Sequence, residues 1–196
     1  MDANQLKRLE EIYHQFLAHD TEQSDRIARY RNIEPESAQF LSMLVTIQQS
    51  KKLLEIGTST GYSTLWLADA VKSTKGHLTT LEIDAERSQK AKSNIQAFGL
   101  QDRVEFWVGD AQTFLDSATE QYDLILLDAE RDAYIEYWAA IKRLLKHPNG
   151  VLIVDNVISH AQQVADFIRI IQQDDHYTSQ TLAIGAGLLL VSYAHH

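Results

Sequence analysis

Cysteine is absent from this 196-residue chain. That excludes a disulfide framework, a zinc–thiolate centre and a thiol nucleophile. Proline is limited to two residues, and no apolar run reaches the ~18–20 residues needed to cross a membrane. The first residues, MDANQLKRLEEIYHQF, lack the basic region and apolar core of a secretory signal, so the expected location is cytoplasmic, with no membrane partner. Positive charge is scarce: 18 Lys and Arg stand against 27 Asp and Glu, for a net charge of −9. That balance argues against DNA and against broad nucleic-acid contact, which needs a basic footprint. Arg26, Arg29 and Arg31 form one local basic cluster, read most simply as a solvated helix face. The terminal His195 and His196 are set aside, because a native pair and a tag remnant read alike.

What is present reads as one domain, 1–196, with a helical cap (1–50) on an α/β body (51–196). Residues 4–49 read as helices. Leu6, Leu9, Ile12, Phe16 and Leu17 recur at helical spacing, and Pro35 suits the first turn of a helix through Ala38, Leu41, Leu44, Val45 and Ile47. The pattern then changes. Short apolar runs at 53–56, 78–83, 104–108, 123–127 and 151–154 alternate with helical stretches near 62–71, 85–98, 133–145 and 160–173. This alternation predicts a parallel sheet with helices on both faces. LILL and VLIV are what doubly covered strands look like. At the end, two strand-like runs flank AlaIleGlyAlaGly, which predicts a closing antiparallel hairpin. Leu6, Leu9, Tyr13 and Phe16 offer an apolar face for a homodimer, and Tyr134 and Trp138, at i and i+4, read as core or dimer packing.

The junction LLEIGTSTGYSTLWLADA sets backbone N–H groups and a helix start beside a ligand. As a dinucleotide fingerprint it fails, because Ser59 and Tyr62 replace the second and third glycines. It also spells G-x-S-x-G, a nucleophile elbow with Ser59, which Asp128 or Asp155 and His160 would complete. No earlier strands and no oxyanion segment accompany it. A third reading uses more residues. Glu55 lies inside an apolar strand and needs a cation, a donor, or a salt bridge to Lys51 or Lys52. Glu82 ends the next strand, where a carboxylate can take both ribose hydroxyls, and Asp110 can meet an adenine edge or cap a helix. An ammonium, a ribose and an adenine without phosphate describe S-adenosylmethionine (SAM).

EIGTSTGYS, LEID, VGDA, LLDAERDAY and VDNV together resemble the cation-dependent O-methyltransferases, the catechol and caffeoyl-coenzyme A enzymes and their small bacterial relatives. The resemblance runs from about Asn32 to the final hairpin and implies a Rossmann-like class I methyltransferase fold, a mixed seven-stranded sheet. It implies that Glu55, Gly57, Thr58, Tyr62 and Ser63 surround the methionine part of the cofactor. Glu82 and Ile83 would hold ribose and adenosine, Gly109, Asp110, Ala111 and Gln112 would flank the adenine, and Asp128 would also face the cofactor. AsnIleGluPro resembles a closing segment, with Ile33 contributing from it.

Asp128 ends LILLD, and Asp155 with Asn156 ends VLIVDN. Both ends should emerge at the carboxyl edge of the sheet, where open α/β sheets bind ligands. An all-oxygen set of this kind suits Mg²⁺, Mn²⁺ or Ca²⁺, and the resemblance puts the family's metal ligands at these three positions. The plain alternative is that they cap the helices that follow. The family's DxxK becomes Asp128-Ala129-Glu130-Arg131 here. Arginine can stabilise an oxyanion but cannot take a proton. His160, or the metal alone, is then the candidate for deprotonation. The expected reaction is metal-assisted methyl transfer to a small catechol-like acceptor. Alternatives are a hydroxylated uridine in transfer RNA and a SAM-binding protein without turnover.

Overall fold

The computed structural model describes residues 1–194; His195 and His196 lie outside the described residues. Helix α1 (Ala3–Glu22) opens on a capping box, in which the Asp2 carboxylate accepts the Gln5 N–H and the Gln5 side chain accepts the Asp2 N–H. Helix α2 (Pro35–Gln48) opens on its proline. Residues 23–34 between them are not helical, which corrects the reading of Arg26–Arg31 as a helix face. The cause is local. The Asp20 carboxylate accepts the N–H groups of both Tyr30 and Arg31 and folds the chain back on α1.

The body follows as β1 (Lys52–Ile56), α3 (Tyr62–Thr74), β2 (His77–Glu82), α4 (Ala85–Ala97), β3 (Val104–Val108), α5 (Ala111–Ser117), β4 (Leu124–Leu127), α6 (Tyr134–Leu144), β5 (Val151–Val154), α7 (Ala161–Gln172), β6 (Tyr177–Leu182) and β7 (Leu188–Tyr193). The sheet order is β3-β2-β1-β4-β5-β7-β6. The first five strands are parallel, and β7 runs antiparallel to both β5 and β6. This is the expected seven-stranded mixed sheet, with residues 183–187 turning the closing hairpin. Helix α5 was not among the periodic stretches; its seven residues are too few to show a period.

Alternation along the strands divides the interior in two. Leu53, Leu78 and Leu124 face a core shared with Leu9, Leu41 and Leu65 of α1–α3. Leu54, Ile125 and Leu152 face the other, shared with Trp138, Ile141 and Phe167 of α6 and α7. Tyr134 and Trp138 are therefore core. Leu6, Leu17 and Ile47 are exposed, so the helical cap buries a narrower stripe than its periodicity suggests.

The order of the strands reverses between β1 and β4, and the loops after these two strands touch. Asp128 donates its N–H to the Ile56 carbonyl at 2.9 Å. Gly57 has φ +107°, and a Cβ there would sit 1.9 Å from the Asp128 carbonyl oxygen. Only a residue without a side chain allows this approach. Gly57→Ala should therefore cost roughly 3 kcal/mol or more of stability, from left-handed strain plus a backbone clash. A urea unfolding midpoint equal to that of the wild type would show that the two loops are free to part.

Candidate active site

Glu55, the fourth of the five residues of β1, is fully buried, and no lysine meets it; Lys52 pairs with Glu120 instead. Its carboxylate accepts three hydroxyls: Ser63 at 2.5 Å, Thr64 at 2.6 Å and Thr80 at 2.5 Å. Thr80 is its register partner on β2, while Ser63 and Thr64 belong to the first turn of α3. Glu55 thus ties one strand and one helix start to β1. Burial pushes its pKa up to about 7; the hydroxyls oppose that rise and the Asp128 charge adds to it.

The loop beyond β1 is fixed from below. Gly57 and Thr58 both donate N–H groups to the Leu81 carbonyl, and the Thr58 hydroxyl meets that of Thr80 at 2.5 Å. Glu82 receives the Ser59 N–H at 2.7 Å and the Asp84 N–H at 3.0 Å, one on each oxygen. Each oxygen keeps a lone pair for a further donor such as a ribose hydroxyl. Ile83 beside it is exposed, an apolar face next to the carboxylate. The Gly109 N–H goes to the Glu82 carbonyl, drawing the end of β3 against that of β2. Asp110 caps α5 by accepting the Gln112 N–H at 2.7 Å, and Ala111 is the first residue of that helix. Gln112 Oε1 is buried without a donor, an acceptor suited to an exocyclic amine. Tyr62 departs from this arrangement: its ring packs 4.9 Å from that of Tyr13, so the side chain is committed to α1.

Residues 23–34 roof this cradle. The Tyr30 carbonyl accepts the Ser59 hydroxyl at 2.7 Å, and Asn32 bonds Thr60 at 2.9 Å. Lys90 reaches the Tyr30 hydroxyl, and Arg87 donates to the Ile27 and Arg29 carbonyls. Ile33 is buried in the first core. The Ser59 hydroxyl therefore faces a carbonyl and, among the described residues, no imidazole, and β1 is the first described strand. This corrects the nucleophile-elbow reading, because the hydroxyl has no base.

Asp128 and Asp155 follow neighbouring parallel strands whose last residues, Leu127 and Val154, are register partners. Asn156 takes φ 66°, a left-handed conformation that asparagine tolerates. Its Nδ2 donates to Asp128 at 3.2 Å and to Asp155 at 2.8 Å. Asp155 is fully buried, and its Oδ1 has no partner. Burial pushes both carboxyls above the usual range; at Asp155 the Asp128 and Glu34 charges add to it, while at Asp128 Arg131 opposes the rise. Among the described residues no group of three or more His, Asp or Glu stands ready to hold a metal. The present set is two carboxylates and one amide, and turning that amide presents its oxygen. An orphaned carboxylate oxygen in an all-oxygen set fits a hard divalent cation.

Arg131 sits in the turn Arg131–Ala133, with its Nε buried and unpartnered. His160 precedes α7, and its Nδ1 lies 2.9 Å from the Ser159 hydroxyl, which leaves Nε2 free of protein partners. Burial and the Arg131, Arg26 and Arg31 charges hold its pKa below the usual imidazole range. Four contributors escaped the sequence reading. Thr64 and Thr80 were legible only as Glu55's opposite numbers. Glu34, whose Oε2 accepts the Ala186 N–H at 3.3 Å, and Glu130 gave no sequence signal beyond a charge near a motif.

The chain matches the model of a family described as O-methyltransferase over residues 9–193. A catechol O-methyltransferase of Niastella koreensis is 36% identical over 131 residues, which is 65% of this chain and 58% of that protein. One of Mycobacterium tuberculosis is 35% identical over 142 residues, 72% of this chain and 62% of that protein. The chain thus spans less than two thirds of the length of these curated relatives. An O-methyltransferase of Bacillus cereus, solved in complex with SAH, is 28% identical with TM-score 0.78 over 95% of this chain and 90% of that one. The O-methyltransferase TomG of Streptomyces achromogenes, involved in tomaymycin synthesis and solved with SAM, is 26% identical with TM-score 0.76 over 84% and 82%.

The buried Glu55 makes stability depend on pH. Its folded pKa lies above the unfolded value, so its contribution is fully present below pH 4.5 and is lost as pH rises through about 7. Glu55→Gln should remove that slope. Relative to the wild type it should gain roughly 2–4 kcal/mol between pH 4 and pH 8. Chemical unfolding at several pH values checks this, and parallel curves for the two proteins would refute it.

Proposed function

We propose that this chain, which belongs to the O-methyltransferase family, passes the methyl group of SAM to a hydroxyl oxygen of a small catechol-like phenol with the help of a divalent cation. The observation that carries the metal-assisted part is the buried, unpartnered Asp155 Oδ1, one strand away from Asp128, whose own loop touches the one that lines the cradle. When bound, a hard divalent ion favours the ionised form of the acceptor hydroxyl and orients it. The candidate ions are Mg²⁺, Mn²⁺ and Ca²⁺, and Asp128, Asp155 and Asn156 would hold them.

The chain's own residues supply the rest. Glu82 accepts the ribose hydroxyls, Gln112 Oε1 accepts from the adenine, and Ile83 lies against it. Glu55 positions the start of α3 without touching the donor. Arg131 stays charged at every working pH, so it stabilises the acceptor oxygen as an anion and never removes its proton. His160 is neutral at pH 7, since its pKa is depressed, and Nε2 can receive the acceptor proton. Methyl transfer then breaks the sulfonium's S–CH3 bond as the acceptor anion forms an O–CH3 bond, so the positive sulfur and the negative oxygen neutralise each other, and positioning provides much of the acceleration. A small acceptor is preferred to transfer RNA because a chain of net charge −9 offers little basic surface for a phosphate backbone.

Calorimetric titration of SAM with and without Mg²⁺, paired with methyl transfer to catechol, tests this reading. Asp155→Asn should bind SAM within about threefold of the wild type yet lose roughly 100-fold or more in kcat, while Glu82→Ala should weaken SAM at least about tenfold. Full turnover by Asp155→Asn in chelator would sink the metal-assisted part. For His160→Ala, the rise of rate with pH that the wild type shows below pH 6.5 should vanish. An unchanged profile assigns deprotonation elsewhere.

A further inference from the structure

Three guanidinium groups gather at the mouth of this site. Arg26 and Arg31 both donate to one carboxylate, that of Glu130, at 3.1 and 2.6 Å. Next to Glu130 in the chain stands Arg131, whose Nε has no partner. The three arginines and Glu34 all act on His160, and Arg131, Glu34 and Arg31 act on Asp128, so charges of both signs stand around one opening. Glu130 is thus the one carboxylate with which Arg26 and Arg31 are paired, and it holds both. The ion pairs at this mouth are open to water: the Glu130 side chain is 54% exposed, Arg26 55% and Arg31 33%. Pairs so exposed are weak and exchange readily with other anions.

An aromatic acceptor whose two neighbouring oxygens would meet a divalent ion held by Asp128 and Asp155 carries its ring substituent away from them. A neutral substituent would leave the Arg26–Glu130–Arg31 ion pairs untouched. A carboxylate would find two guanidiniums already set apart to hold one, because Glu130 shows the spacing. Resting on the methyl-transfer reading above, we propose that the preferred acceptor bears a carboxylate substituent, which displaces Glu130 from Arg31 and Arg26. Glu130 is then a stand-in for the acceptor's own anion, and the arginine pair is a specificity determinant.

The competing account makes the same ion pairs a plain fastening between residues 23–34 and the loop after β4. A fastening affects every acceptor alike, so selectivity separates the two. The protein, loaded with S-adenosylhomocysteine and Mg²⁺, is titrated calorimetrically with catechol, 3,4-dihydroxybenzoate and dopamine. The wild type should bind the carboxylate about tenfold more tightly than catechol, with the cationic amine weakest. Arg31→Gln should shrink that preference to within about threefold, Arg31→Lys should restore part of it, and Glu130→Gln should widen it. Equal binding of carboxylate and catechol, no binding of either, or a preference untouched by Arg31→Gln overturns the inference. A carboxylate preference without methyl transfer in the matching SAM assay leaves the inference standing and removes the reaction assigned above.

Discussion

The structure turns on the contact between the loops that leave β1 and β4. Gly57 lets the Asp128 carbonyl approach, and that approach brings two functions to one place. On one side the backbone after β1 lines the cradle that ends at Glu82. On the other, Asp128 begins the carboxylate pair with Asp155. The topology makes this possible, because the strand order reverses between β1 and β4 and opens a crevice at the carboxyl edge. On the proposed reading, a methyl donor and a hard cation placed there would be neighbours without any long-range device to bring them together.

Three carboxylates near this crevice are buried, and each is satisfied differently. Glu55 is enclosed by hydroxyls and carries no partner charge, so it fixes geometry. Glu82 is met by backbone N–H groups and keeps lone pairs open, so it can bind. Asp155 keeps one oxygen unanswered beside a second carboxylate, an arrangement costly to leave empty of positive charge. Residue type alone would rank these three alike. The donors around each assign the roles.

The fold was legible because its signals are redundant. Doubly buried strands such as LILL and VLIV, glycines at the strand ends and helical stretches between them all agree on one topology. The failures have local causes. Residues 23–34 carry enough charge to pass for a helix face, but Asp20 captures two backbone N–H groups and ends the helical path. Helix α5 is held by its Asp110 cap and not by periodicity. In the site, residues that end strands could be found, since strand ends and motifs coincide. Thr80 could not be found because its role depends on cross-strand register, nor Thr64 because its role depends on how the first turn of α3 packs on β1. The Arg26–Glu130–Arg31 grouping joins positions about a hundred apart in sequence, a separation no local pattern records.

The arginine at position 131 is less a loss than a redistribution of work. A lysine at that place could in principle both steady an anion and exchange a proton, because an ammonium can be tuned by its surroundings. A guanidinium can do only the first. Yet the same neighbourhood holds a histidine whose proton is made easier to lose, first by burial and then by the nearby arginines. Every positive charge added to this mouth favours an ionised acceptor and keeps His160 neutral, ready to accept. The same charges also penalise any acceptor that arrives carrying a cation. On the proposed reading, base, oxyanion stabiliser and selectivity filter would be consequences of one electrostatic choice, the clustering of guanidinium groups outside the Asp128–Asp155 pair.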